Sequence, residues 1–403
     1  MAEDEAPNPF NNPLFAQFQR AMSAQGPLQW DVARQTALMA ATEGVTEHNV
    51  DPQRRIAVES LANVARMHVA ELTGLATPVA VPLDVVGRAT WANLTLQAWK
   101  PYFDALAQAI GGTANNTATD TADTTADNTA ASEADESDPM MAMLANVSKL
   151  IAPSMLGMSV GTLVGRLATN TFGQFDLPLP RDPHDRVVIV ISNVDSFADE
   201  WSIPRDDMTM WALTHELVSH GVFGVAHVRQ TVQQLVSQFA GGFRPNPGAL
   251  SESISSLDIS SGDPMKLLNS LLSDPTVLLG AQRSAAQERV APILDAAIAG
   301  IVGYIDHYVD RVTARILGQA SPIGEAVRRR RVAQSGDRVF VERLLGVDLT
   351  SEQVERAQQF IAGVLERAGD DGVALLLAKH GNLPTPSEIV APGLWLARLE
   401  TSN

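Results

Sequence analysis

Cysteine is absent from this 403-residue sequence, which excludes a disulfide framework and a thiol nucleophile. Lysine is scarce, with four residues among the 29 basic ones, a bias towards Ala and Arg rather than a functional signature. Positive charge is in deficit overall. The net charge of −17 argues against broad contact with a nucleic-acid backbone and for a soluble protein. No apolar run approaches the roughly 20 residues that span a bilayer. The best candidate, residues 151–172, carries Arg166 and several Gly and Ser residues, and reads as a buried helix of a soluble protein. The N-terminus, Met1-Ala-Glu-Asp-Glu5, lacks the basic and apolar regions of a secretory signal. These absences lead us to expect a cytoplasmic protein with no membrane and no nucleic-acid partner.

The length suits one large domain or two intimate ones. Residues 113–138 are a low-complexity run of Thr, Ala, Asn and acidic residues, with seven carboxylates and no basic group. Such a run cannot bury enough apolar surface to offset the entropy of ordering, so we expect a disordered acidic insert. It separates an N-terminal helical part, residues 12–112, from a C-terminal helical part, residues 139–400. The two are expected to form one composite domain.

Apolar residues at three- and four-residue steps predict helices over 30–42, 52–73, 83–110, 140–150, 155–172 and 207–239. Further helices are expected at 265–272, 285–317, 321–334, 338–345, 351–368 and 371–379. Gly157, Gly161 and Gly165 put a smooth stripe on one of these helices, which predicts close helix packing rather than a ligand site. Arg186-Val-Val-Ile-Val-Ile-Ser192 is the best strand, a β-branched run bounded by turn signals just upstream of the 207–239 helix. The edge of that strand could bind an extended peptide. Arg328 to Arg331 could be read as a nucleic-acid patch. The run lies on a helix without interleaved aromatics, so ion pairs with Glu325 and other carboxylates are the expectation. No G-x-S-x-G elbow is present, and no Gly-rich phosphate loop follows the strand.

The one motif that carries chemistry is broken. Thr214-His215-Glu216-Leu217-Val218-Ser219-His220 follows the zinc-peptidase pattern H-E-x-x-H except that Ser219 stands at the second histidine. That pattern works because residues four apart on a helix lie only about 40° apart, so two imidazoles can grip one Zn²⁺. His215 and His220 are five apart, about 140° round an ideal helix, and meet one metal only if the helix widens locally. In a working site the Glu after the first histidine takes the proton of the metal-bound water.

Several further segments carry a resemblance that covers nearly the whole chain. They include Gly26-Pro-Leu-Gln-Trp30, Gly161-Thr-Leu-Val-Gly-Arg-Leu-Ala168, Phe175-Asp-Leu-Pro-Leu-Pro180 and Trp211-Ala-Leu-Thr-His-Glu-Leu217. Gly303-Tyr-Ile-Asp-His307, Glu325-Ala-Val-Arg-Arg-Arg-Arg331 and Leu383-Pro-Thr-Pro-Ser-Glu388 belong to the same ordered set. The chain resembles the zincin-like "zinc-dependent metalloprotease" family of intracellular bacterial proteins, part of which is labelled as associated with deazaflavin-coenzyme biosynthesis. The resemblance implies His215 as first metal ligand and Glu216 as general base. Ser219 then falls at the second histidine, with His220 matching an adjacent histidine that many members carry. It implies a glutamate as third ligand at the place of Val302. Hydroxyl and valine are poor replacements for imidazole and carboxylate as Zn²⁺ ligands.

Two readings follow. The first is a mainly α (α+β) zincin-like helical domain, with a small strand element before the His215 helix, whose metal site has degenerated. Such a chain is a pseudo-peptidase that binds a peptide or protein partner and needs no cofactor. The second is an active zinc hydrolase with shifted ligands His215, His220 and Asp306, and Glu216 as base. Asp306 enters because it lies one turn beyond Val302 on the same helix face.

Overall fold

Capping chemistry sets where several helices begin. Asp51 accepts the Gln53 N–H ahead of Pro52, Ser284 and Gln287 form a reciprocal capping box, and Thr350 accepts the Gln353 N–H. The computed structural model describes residues 26–75, 81–119, 139–244, 283–318, 323–332, 341, 344–347 and 349–401. Part of the acidic insert, residues 120–138, lies outside them, as do the helix expected at 265–272 and most of the one at 338–345.

The chain runs α1 (Trp30–Thr42), α2 (Pro52–Thr73), β1 (Leu83–Val86), α3 (Arg88–Ala98), α4 (Lys100–Thr119) and α5 (Pro139–Asn170). It continues with β2 (Val187–Val190), α6 (Ile191–Glu200), α7 (Arg205–Gly224) and α8 (Ala226–Gly241). After these come α9 (Ala285–Leu317), α10 (Ile323–Val332), α11 (Ser351–Ala378) and α12 (Pro392–Thr401). The protein is mainly α, as expected. Among the described residues the only sheet is the parallel pair β1–β2, in the register Leu83↔Val187 to Val86↔Val190.

Several expectations are corrected. Residues 113–119, the start of the expected disordered insert, belong to α4, and the helices expected at 351–368 and 371–379 run together as α11 across a kink at Gly369. The start of the expected 83–110 helix is a strand, because Leu83–Val86 finds a partner in β2 and Gly87 then opens α3. The expected 207–239 helix is two helices, broken at Val225, whose ψ of 109° is not helical. The pieces expected at 140–150 and 155–172 are one helix that carries Pro153 inside it.

β2 is buried along its whole length. One edge pairs with β1, and the other receives Gly173 in an antiparallel bridge to Ile189, with Phe172 accepting the Val190 N–H. Neither edge of β2 is open to an added peptide strand. β1 is the outer strand.

α7 packs between this sheet and α9, and α9 also packs on α8 and α11. By length and apolarity α9 could cross a membrane, yet most of its apolar stretch is buried inside the protein. The glycine stripe behaves as expected. A Cβ on Gly161 would fall 2.3 Å from the Ala33 carbonyl, and one on Gly157 2.6 Å from that of Gln29, so α1 and α5 touch backbone to backbone.

Candidate functional site

α7 carries His215 and Glu216 into the interior, where both side chains are buried together with Ser219 and His220. Two aspartates in its first turn suit the positive end of the helix dipole. His215 lies flat against Trp211 one turn earlier, ring centroids 5.3 Å apart.

The Nε2 nitrogen of His215 is engaged by a cation. Arg331, on α10, brings Nη2 to 2.9 Å from His215 Nε2, while its Nη1 lies 2.7 and 2.9 Å from the two carboxylate oxygens of Asp306. A guanidinium can only donate, so His215 Nε2 is the acceptor in this contact. The His215 Nδ1 faces Glu216 Oε1 at 3.5 Å. Burial works against charge on Arg331, but Asp306 overcomes it and holds the guanidinium above its ordinary pKa.

Glu216 is turned towards backbone. Its carboxylate accepts the N–H groups of Gln174 (2.8 Å) and Phe175 (3.2 Å). Gly173 makes this approach possible, since a Cβ there would sit 2.3 Å from the Glu216 carboxyl carbon. The Gly173 carbonyl is itself fixed by the Trp91 indole and the Thr171 hydroxyl. Burial pushes the Glu216 carboxyl up, while His215 and the Phe175 N–H pull it down.

His220 lies elsewhere. It stacks on His184 with centroids 3.9 Å apart, and His184 Nε2 donates to its carbonyl oxygen. Its Nε2 has no hydrogen-bond partner, and neither does the hydroxyl of Ser219. Burial, with His184 next, lowers the His220 pKa to about 3.

Of the sequence-predicted residues, then, the structure joins His215 to Asp306 through Arg331, sets Glu216 beside His215, and leaves His220 out. Among the described residues no group of three or more His, Asp and Glu side chains is placed to hold a metal. The residues present do not fit a zinc ion. The lone pair that would bind it and the carboxylate that would balance it are both committed to a guanidinium.

Arg331 was predicted only as an ion-pair partner, and that prediction holds for its whole run. Arg328 pairs with Asp310 and Glu325, Arg329 with Glu325, and Arg330 with Asp176. Nothing in the spacing pointed from Arg331 to His215. A cavity of about 370 Å³ borders β1, lined among others by Glu47, His48, Arg55 and Asp84.

A buried His-Glu helix against a small sheet is the framework of a metallopeptidase-like helical protein. The zincin-like metallopeptidase family matches residues 28–396, and the chain belongs to it. A solved structure shares the fold at 18% identity with a TM-score of 0.56, covering 93% of this chain and 99% of the other. It is a protein from Chloroflexus aurantiacus described as "a putative hydrolase with a novel fold". No curated protein matches the chain.

Proposed function

We propose that this chain is a pseudo-peptidase: a zincin-like metallopeptidase family member whose catalytic centre has become a structural ion-pair cluster, retained to bind a peptide or protein partner. The observation that carries the proposal is the Arg331 guanidinium held between His215 and Asp306. The fixed positive charge takes the electrostatic place of a divalent cation and offers no open coordination position for a water. Glu216, the family's general base, is fully buried and turned onto two backbone N–H groups, an anchoring role rather than that of a base open to a metal-bound water. For a peptide partner, the outer edge of β1 with its polar cavity suits strand addition, whereas β2 has both edges engaged.

The second reading, a zinc hydrolase, is favoured by one observation. His215 and Asp306 already address a common group, so departure of the Arg331 side chain would leave an imidazole and a carboxylate converging. The Chloroflexus aurantiacus protein that shares the fold is also described as a hydrolase.

Metal content of the protein, purified without a metal-affinity column, separates the two. The pseudo-peptidase reading expects far less than one zinc per chain, even after zinc is added and excess removed. About one zinc per chain, lost on His215→Ala, overturns it.

A further inference from the structure

The break between α7 and α8 re-aims the chain just before a histidine. α7 ends at Gly224, Val225 is not helical, and α8 begins at Ala226. His227, in the first turn of α8, comes against His380, which follows the end of α11 at Ala378. The two ring centres lie 6.4 Å apart, with the ring planes at 67°.

Other imidazoles of the protein are already engaged. His215 Nε2 is taken by Arg331, His184 Nε2 by the His220 carbonyl and His307 Nε2 by Asp370. His227 Nε2, by contrast, is shielded from solvent and has no hydrogen-bond partner. Leaving such a nitrogen unmatched is costly. His380, on the other side of the contact, is exposed.

Ring orientation decides which histidine pair can share an ion. An imidazole lone pair lies in the plane of its ring, so two imidazoles ligate one metal only where their planes meet. His184 and His220, stacked with their planes 18° apart, fail that condition. His227 and His380 satisfy it. Metal–nitrogen bonds of about 2.0–2.1 Å, with a ring radius added at each end, set ligating ring centres roughly 5–6 Å apart. A rotation of the exposed His380 side chain closes the small difference.

The donors select the ion. Mg²⁺ and Ca²⁺ take oxygen ligands, whereas imidazole suits zinc, nickel and copper. Among the described residues no third His, Asp or Glu completes the set, so the remaining coordination positions stay open.

We propose that His227 and His380 form a binding site for a divalent transition-metal ion. Its ligands come from α8 and from the turn after α11, so it does not depend on what His215 holds. With two protein ligands the ion exchanges and leaves with excess metal, so direct titration is the readout rather than metal content after purification.

The test is calorimetric titration of the untagged full-length protein with Ni²⁺, Zn²⁺ and Mg²⁺. Saturable binding of Ni²⁺ and Zn²⁺ is expected, and none of Mg²⁺. His380→Gln, at an exposed position, should weaken Ni²⁺ binding about tenfold or more, as should His227→Gln, while His215→Ala leaves it unchanged. No saturable binding of Ni²⁺ by the wild type up to about 1 mM overturns this site alone and leaves the pseudo-peptidase reading standing. Equal binding by wild type and His380→Gln also overturns it. Binding kept in His380→Gln but lost in His215→Ala places the ion at His215 and overturns both proposals.

Discussion

Arg331 Nη2 and His215 Nε2 lie 2.9 Å apart, a buried contact that ties α10 to the helix carrying the His215-Glu216 pair. An imidazole that would be a metal ligand is a hydrogen-bond acceptor for a fixed cation. Its partner Asp306 is 25 residues from Arg331, while His215 is 116 away, so α7, α9 and α10 are tied at one point.

Removing that cation should be expensive. Arg331→Met leaves Asp306, largely but not fully shielded from solvent, without its counter-charge, and the loss should approach about 3 kcal/mol, the lower end for breaking a buried pair. Asp306→Asn should cost a comparable amount, and the double variant clearly less than the sum of the two. Urea denaturation of the four proteins checks this, and additive losses would show that the pair is not coupled.

Gly173 is expected to tolerate no side chain. Gly173→Ala drives a Cβ into the Glu216 carboxyl and should lower stability by about 1–3 kcal/mol. Glu216→Ala should also destabilise, by about 1–3 kcal/mol, because the Gln174 and Phe175 N–H groups lose their acceptor. In the Glu216→Ala background the further change Gly173→Ala should cost almost nothing, since the clash is gone. Thermal unfolding of the three variants reads the result.

Stability should fall as pH drops below about 6.5. His220 is neutral in the fold, with its pKa lowered to about 3 by burial and by His184 beside it, whereas the unfolded chain protonates near 6.5. Between those values the unfolded state binds the extra proton. Each such group therefore removes up to about 1.4 kcal/mol per pH unit on acidification. His184, also lowered mainly by burial, acts in the same direction. Denaturation midpoints at pH 7.5 and 5 should converge in His220→Gln, and an unchanged pH dependence would remove His220 from the account.

Gly161→Ala should destabilise although Ala is the better helix former by about 1 kcal/mol. Its methyl group would enter the space of the Ala33 carbonyl, 2.3 Å away. Gly111, with nothing within 4 Å of an added Cβ, is the control and should gain stability on the same change.

Local chemistry made much of the helical framework legible. Residues 30–42, 52–73 and 285–317 are helices with the predicted ends, because the apolar period is regular and turns or caps bound them. The glycine stripe announced the α1–α5 packing. β1 was not legible: four residues of Leu, Asp and Val adjoining a helix satisfy the helical period as well as the extended one. Only the ladder to β2 distinguishes them. Nor did Gly221 and Gly224 alone reveal the break at Val225, since glycines also occur within helices.

The sequence by itself determined that the second histidine of the motif is a serine and that the arginine run seeks carboxylates; the family resemblance added the expectation of a third ligand at the place of Val302. Those are statements about which atoms exist. The tertiary structure decided which atoms meet. It set Arg331 between His215 and Asp306, turned Glu216 onto the Gln174 and Phe175 amides, and stacked His220 on His184. A buried charge must find its partner wherever the packed helices place one, and sequence spacing carries no measure of that distance.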